Sequence, residues 1–222
     1  MVTSRSPRGP YRKTVARREQ IIDAALAAYA EAGSRGVSVR DIAQRVGITD
    51  TGVMHHFGSR EELLTAVLQA REKANRAAFG DVSGDPKAAL ELLAHNATTP
   101  GLVKLFLDVA AAAAEPDHPA HAFFAERYPR LRESVAGLMT DCIEHRQDPG
   151  PPRMTPDADW AARILLAAVD GLQLQWLLDP DIDMAADMAT LSQVLLGVLR
   201  QEPAAPAGEE PAEADACESD RG

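Results

Sequence analysis

The stretch SVRDIAQRVGITDTGVMHHFGSREELLTAVL, residues 38–68, decides how this chain folds. Ser38 can cap a helix and Asp41, at the third helical position, can answer it, while Val39, Ile42, Ala43 and Val46 form one apolar stripe. Gly47 ends this short helix. Thr49 or Asp50 can cap a second short helix to about Phe57, and Ser59 with Glu62 forms a capping box for a longer one. Two short helices joined by a tight turn are the frame of a helix-turn-helix, which makes three demands. The first helix needs a small residue where the second crosses it, the turn needs a residue free to take positive φ, and the second helix needs an apolar anchor facing back. Ala43, Gly47 and Val53 supply these in order, with Ile42 and Ile48 filling the core beneath.

Working outward, KTVARREQIIDAALAAYAEAG (13–33) places Ile22, Leu26, Tyr29 and Ala32 on one helical face, and Gly33 is placed to stop that helix. Ahead of this face stand Arg5, Arg8, Arg12, Lys13, Arg17 and Arg18, suited to phosphates or a groove. Charge divides along the chain in the same sense. Residues 1–80 hold 13 Lys+Arg against 8 Asp+Glu, net +5, and residues 81–222 hold 10 against 25, net −15. A basic front on an acidic body implies that one end meets a polyanion while the rest repels it.

Beyond the polar break GDVSGDPK (80–87), helical patterns resume around 87–97, 101–114, 119–146, 157–178 and 184–200, divided by TTPG, EPDHP, DPGPPRMTP and LDPDID. Thr155 as cap with Pro156 behind it reads as the start of the fourth of these. No alternating run of strand type and no repeat is present, so the expected fold is all-α. The expected organisation is a basic arm (1–13), a helix-turn-helix unit (14–80), a second helical unit (81–201) and a disordered acidic tail (202–222). No apolar run suggests a membrane span and the N-terminus lacks the apolar core of a secretion signal, so the cytoplasm is expected. Cys142 and Cys217 lack metal-type spacing and are expected to be incidental thiols.

Residues 21–68, IIDAALAAYAEAGSRGVSVRDIAQRVGITDTGVMHHFGSREELLTAVL, resemble the DNA-binding domain of the tetracycline-repressor (TetR) family of bacterial regulators nearly position for position. The C-terminal part is similar in helical layout and in the look of RILLAAVDGLQLQWLLDP (163–180). The resemblance implies that Thr49 to Phe57 is a recognition helix entering the major groove, with Thr49, Asp50, Thr51 and His55 nearest the DNA and Gly52 and Met54 on the same helix. It implies that His56 and Phe57 hold this helix against its neighbours, that Ser38 and Arg40 approach the backbone, and that Arg60 meets a phosphate. Met54 stands where the family most often has tyrosine, and Arg60 where lysine is more usual, which keeps the charge.

The adjacent histidines His55 and His56 raise the question of a metal or acid/base site. Neighbours on a helix point about 100° apart, without the i, i+4 spacing of zinc-binding helices, and no third ligand stands at a helpful distance. DNA contact by His55 is the expected role. His118 and His121, with Glu115 and Asp117, are read as surface residues at a helix start rather than a metal cluster. No metal, cofactor or catalytic group is expected, since no nucleophile with a base, no carboxylate pair in a pocket-like setting and no phosphate loop occurs.

Helical bundles bind effectors between their helices, so Phe106, Phe123, Tyr128, Met139, Gln173 and Trp176 are candidates for lining a ligand pocket. The helix from 157 to 178 is apolar on more than one face. Together with MATLSQVLLGVLR (188–200) it is built to bury surface beyond its own unit, and in the resembled family this helix pair forms a four-helix bundle with its counterpart. Trp160, Ile164, Ala168, Gly171, Leu172, Leu191, Leu195 and Leu199 are the expected dimer contacts. The expected function is a homodimeric regulator of a palindromic double-stranded DNA operator, a repressor released by an unknown small molecule. The alternatives are an activator or a ligand-independent regulator of the same fold and, remotely, a helical small-molecule-binding enzyme or an interaction protein using its acidic tail.

Overall fold

A computed structural model describes residues 10–33, 35–80, 82, 84–144 and 157–200. Residues 1–9 with Arg5 and Arg8, Thr155 and Pro156, and residues 201–222 with Cys217 lie outside them. All regular elements among the described residues are helices: α1 Pro10–Ala32, α2 Val39–Val46, α3 Asp50–Phe57, α4 Arg60–Phe79, α5 Pro86–Asn96, α6 Pro100–Ala112, α7 His121–Glu144, α8 Ala158–Leu178 and α9 Met184–Arg200. Two boundaries differ from the sequence reading. α1 begins at Pro10, so the helix takes in the last residues assigned to the arm, and Asp157, not Thr155, caps α8 by accepting from the Trp160 N–H at 2.7 Å. An Asp two residues nearer the apolar stripe satisfies the same orphan donors.

The four N-terminal helices form a head whose local order is written in its caps. Ser38 and Asp41 make a complete capping box at the start of α2. Gly47 takes φ +71°, ψ +36°, a conformation a residue with Cβ adopts only at a cost, and this lets the Ile48 N–H return to the Ala43 carbonyl at 3.0 Å. Thr49, not Asp50, caps α3, accepting from the Gly52 N–H at 3.1 Å. At α4 Ser59 accepts from the Glu62 N–H at 3.0 Å, but no return bond from the Glu62 side chain closes the expected box.

Ile21, Ala25, Ile42, Val53, Phe57, Leu63 and Val67 fill the centre of the head, and the same core continues without a break into Leu102, Leu105, Val109 and Phe124 of α6 and α7. The expected division at residues 80 and 81 therefore separates helices but not cores. A second core gathers Leu93, Val103, Met139, Ala161, Leu165, Trp176, Met184, Met188 and Leu195. α4 links the two regions. Its residues Leu63 to Leu68 are all buried in the head, and its second half, from Gln69 onward, is largely polar and runs along the body.

α8 is long and apolar enough to cross a membrane by length and composition. Its apolar residues serve two opposite faces: Ala161, Leu165 and Trp176 point into the second core, while Ile164, Leu174 and Leu178 are exposed.

Candidate nucleic-acid interface and body cavity

α3 turns Val53 and Phe57 into the core and leaves Thr49, Asp50, Thr51 and His55 exposed, next to Ser38 and Arg40 at the start of α2. All six of these expected residues are thus exposed. Gly52 is half-buried behind the Thr49 cap. Met54 departs from the expectation, because it is half-buried and packs against the head core.

Arg18, counted in the sequence among the groove-reaching residues, is used otherwise. Its Nη1 donates to the His56 carbonyl at 2.6 Å and its guanidinium lies over the Phe57 ring, 4.1 Å from the centroid. It thereby satisfies an orphan carbonyl at the C-terminus of α3, where a cation also meets the negative end of the helix dipole. Arg45 likewise grips Glu31 through two hydrogen bonds, tying α2 to α1. Arg60 is exposed at the first position of α4 and borders a cleft shared with Tyr29, Lys104, Asp108 and His118. Burial raises the Tyr29 phenol, and the Arg60 guanidinium beside it opposes that rise.

His118 and His121 bind backbone groups of the connection between α6 and α7. His118 Nδ1 accepts from the Ala120 N–H at 3.1 Å, and His121 Nδ1 lies 2.9 Å from the Ala113 carbonyl oxygen.

The body holds a cavity of about 440 Å³ that opens to the surface. Phe106, Phe123, Tyr128, Met139 and Gln173, five of the six residues expected there, line it. Trp176 does not. It is buried in the second core beside α9, because its side of α8 faces that helix. The polar wall was not read from the sequence. Glu72 of α4 accepts from Arg127 and Arg130 of α7, the latter at 2.6 Å, and pairs with Arg76 on its own helix. Arg71 donates to the Leu102 carbonyl at 2.6 Å and to Asn96 Oδ1 at 2.8 Å, fastening α4 to α6 and α5. Burial, with the charge of Arg127, lowers Arg71 to about 10. Arg127 lies over the Phe106 ring, and its buried Nε finds no acceptor among the described residues.

In the lining of the same cavity the Tyr128 hydroxyl donates to Asp170 Oδ2 at 2.6 Å. Burial raises the Asp170 carboxyl, and the Tyr128 hydrogen bond and Arg127 offset that only in part. The folded chain therefore binds this proton more tightly than the unfolded chain, so Asp170 favours folding at acid pH and the advantage is lost as pH rises through its folded pKa. Asp170→Asn, which keeps an acceptor for Tyr128, is expected to raise the urea midpoint at pH 7, with the gain shrinking toward pH 4. An equal change at both pH values would contradict this assignment.

The residues expected as dimer contacts take different positions in the single chain. Of the expected contacts, Ile164 is exposed, but Leu195 is buried inside its own subunit, and Trp160, Ala168, Leu172, Leu191 and Leu199 pack half-buried against the second core. Gly171 is half-buried. The large apolar residues that do stand in solvent are Leu174 and Leu178 of α8 and Val194 and Val198 of α9.

Comparison with known proteins agrees with this architecture. A family model described as bacterial regulatory proteins of the tetR family matches residues 21–67, and one described as the C-terminal part of BetI-type transcriptional repressors matches residues 87–215, more than half of the chain. The HTH-type transcriptional regulator TtgR of Pseudomonas putida is 27% identical over 203 residues, 84% of this chain and 93% of its own. In the fold, the chain is similar to the regulator FadR of Bacillus subtilis, solved in complex with stearoyl-CoA, at a TM-score of 0.57 and 16% identity over 81% of this chain and 98% of that one. It is similar also to a transcriptional regulator of Saccharomonospora viridis, solved in complex with choline, at a TM-score of 0.56 and 21% identity over 82% and 96%. With a helix-turn-helix head matched by one model and a helical body matched by the other, the chain belongs to the TetR family of bacterial transcriptional regulators.

Proposed function

We propose that this regulator is a homodimeric repressor of a palindromic operator, released when a small molecule enters the body cavity, and that it works in the cytoplasm without catalysing a reaction. The observation that carries the reading is α3, a helix capped at its start, braced at its end by Arg18 and anchored by Val53 and Phe57, with a polar face left uncovered. Such a helix can enter the major groove, where Thr49, Asp50, Thr51 and His55 reach base edges or phosphates. Ser38, Arg40 and Arg60 then face the backbone.

Two copies are needed to read a palindrome, and the exposed apolar residues of α8 and α9 supply the surface that joins them. The cavity is the effector site. Two neighbours of the same fold were solved with stearoyl-CoA and with choline, which supports a ligand-binding body and leaves the ligand's charge open. An effector changes DNA affinity only by preferring one dimer shape, and α4 is the element that transmits the preference, since it is buried in the head at one end and held by α5, α6 and α7 at the other.

The test is selection of bound duplexes from a random library at fixed salt. An enriched palindrome is expected, and salt-sensitive binding with no enrichment would remove the reading. On the selected operator, Arg40→Ala should weaken all sites alike and flatten the salt dependence by about one unit, whereas Thr51→Ala should alter the ranking of sites. Uniform loss with Thr51→Ala would contradict its position at a base edge.

A further inference from the structure

The cavity is apolar over most of its wall, yet its charged lining is unbalanced. Four arginines, Arg71, Arg76, Arg127 and Arg130, face two carboxylates, Glu72 and Asp170. Arg71, Glu72 and Arg76 come from the part of the chain that is net +5 over residues 1–80, and Arg127, Arg130 and Asp170 from the part that is net −15 over residues 81–222, so the cavity gathers a local positive surplus from both. The two carboxylates are already committed, Asp170 to the Tyr128 hydroxyl and Glu72 to three of the arginines. Arg127 is committed only in part: its Nη1 reaches Glu72, while its Nε is buried without an acceptor among the described residues. A buried guanidinium donor left unmade carries a desolvation penalty that an incoming acceptor would relieve.

We propose that the effector is an amphiphilic monocarboxylic acid, with an apolar body that fills the cavity and a carboxylate that takes the place of Glu72 on Arg127 and Arg130. The inference rests on the reading of the cavity as the effector site and adds the ligand's chemistry and the event it triggers. Glu72 belongs to α4, and its two partners belong to α7, 55 and 58 residues away. Glu72 is thus an internal anion holding α4 against the body. A ligand carboxylate offers the same two oxygens and can also meet Arg127 Nε, so that it competes for the arginines and frees α4 from α7. The apolar part lies against Phe106, Phe123, Leu165 and Val169. A cationic amphiphile would instead meet the arginine surplus, and a neutral one would leave Arg127 Nε unanswered.

The experiment uses the full chain and straight-chain probes of about 8 to 14 carbons, a size range suited to a cavity of this class. Each length is supplied as the carboxylate, its methyl ester, the primary alcohol and the trimethylammonium salt. Direct binding is followed by calorimetry, and release of the selected operator by anisotropy. The carboxylate of at least one length is expected to bind about ten times more tightly than its three analogues, and to release the operator.

Arg127→Gln should abolish that preference while retaining binding of the alcohol. Glu72→Gln, which removes the internal competitor, should tighten carboxylate binding and weaken the ligand-free hold on the operator. A preference for the trimethylammonium salts, equal binding of all four classes, no binding of any, or a preference that survives Arg127→Gln would each overturn the proposal. Carboxylate binding without operator release would overturn the displacement of Glu72. Because binding is measured without DNA, failure of the library to yield a palindrome would strike the repressor reading and leave the ligand preference to be judged independently.

Discussion

A chain carrying Leu174→Glu and Val194→Glu is expected to be a folded monomer whose operator affinity is lower by two orders of magnitude or more. On α8, Ile164, Leu174 and Leu178 are 38, 54 and 82% exposed, and on α9, Val194 and Val198 are 55 and 43% exposed. Ile164, Gly171, Leu174 and Leu178 follow one another at spacings of seven, three and four, a continuous helical stripe. Covering one such side chain is worth about 1.5–3 kcal/mol, and a two-fold contact covers each of them twice. A glutamate at either position stays hydrated in the monomer, so the fold is untouched. In the dimer it would be buried without a partner. Separated heads lose the effective concentration that links the half-sites, a factor of roughly 10²–10⁴. Sedimentation equilibrium and anisotropy on the selected operator read both effects, and a persisting dimer with unchanged affinity would sink the assignment. Leu195→Glu makes the contrast: Leu195 is only 5% exposed, so this substitution should unfold the body rather than dissociate a folded dimer.

That contrast marks where the sequence stopped being legible. The head could be read almost residue by residue because its information is local: a capping box at Ser38 and Asp41, a turn glycine at position 47, a cap at Thr49 and an anchor at Val53 each lie within a few residues of what they organise. α8 carries apolar residues around its whole circumference, so periodicity finds the helix but not which face is inside. Leu172 and Leu174 are about 200° apart on that helix, and only packing against α7 and α9 decides which of them meets solvent. The same ambiguity put Trp176 in the cavity and Leu195 on the surface. The charged wall of the cavity was invisible for another reason: Glu72, Arg127 and Arg130 come together only after α4 and α7 dock, and each alone reads as an ordinary solvated charge. Arg18 looked like part of a basic arm until α3 was seen to end beside it.

Gly101→Ala should lower the thermal midpoint by several degrees and weaken the coupling between cavity and DNA, even though the change adds one methyl group. Gly101 lies in the first turn of α6, and a Cβ there would stand 2.1 Å from the Tyr29 carbonyl oxygen and 2.6 Å from that of Gly33. Both obstacles are backbone at the C-terminal end of α1, so neither can rotate away. The helix must shift instead, and overpacking of this kind costs about 1–3 kcal/mol, or more where backbone must move. For a chain of this size that corresponds to roughly 2–4 °C for each kcal/mol. The place matters as much as the cost. The next residue, Leu102, lends its carbonyl to Arg71 of α4 and its side chain to the head core, so the turn that would be displaced joins α1 and α4 to the body. Pushing α6 outward should therefore loosen the connection through which, in the proposed mechanism, a ligand acts on α3. A cavity ligand should still bind Gly101→Ala, measured calorimetrically, but should release less operator at saturation than it does from the unsubstituted protein. An unchanged midpoint together with full release would mean that the approach of α6 to α1 is not as close as these distances make it.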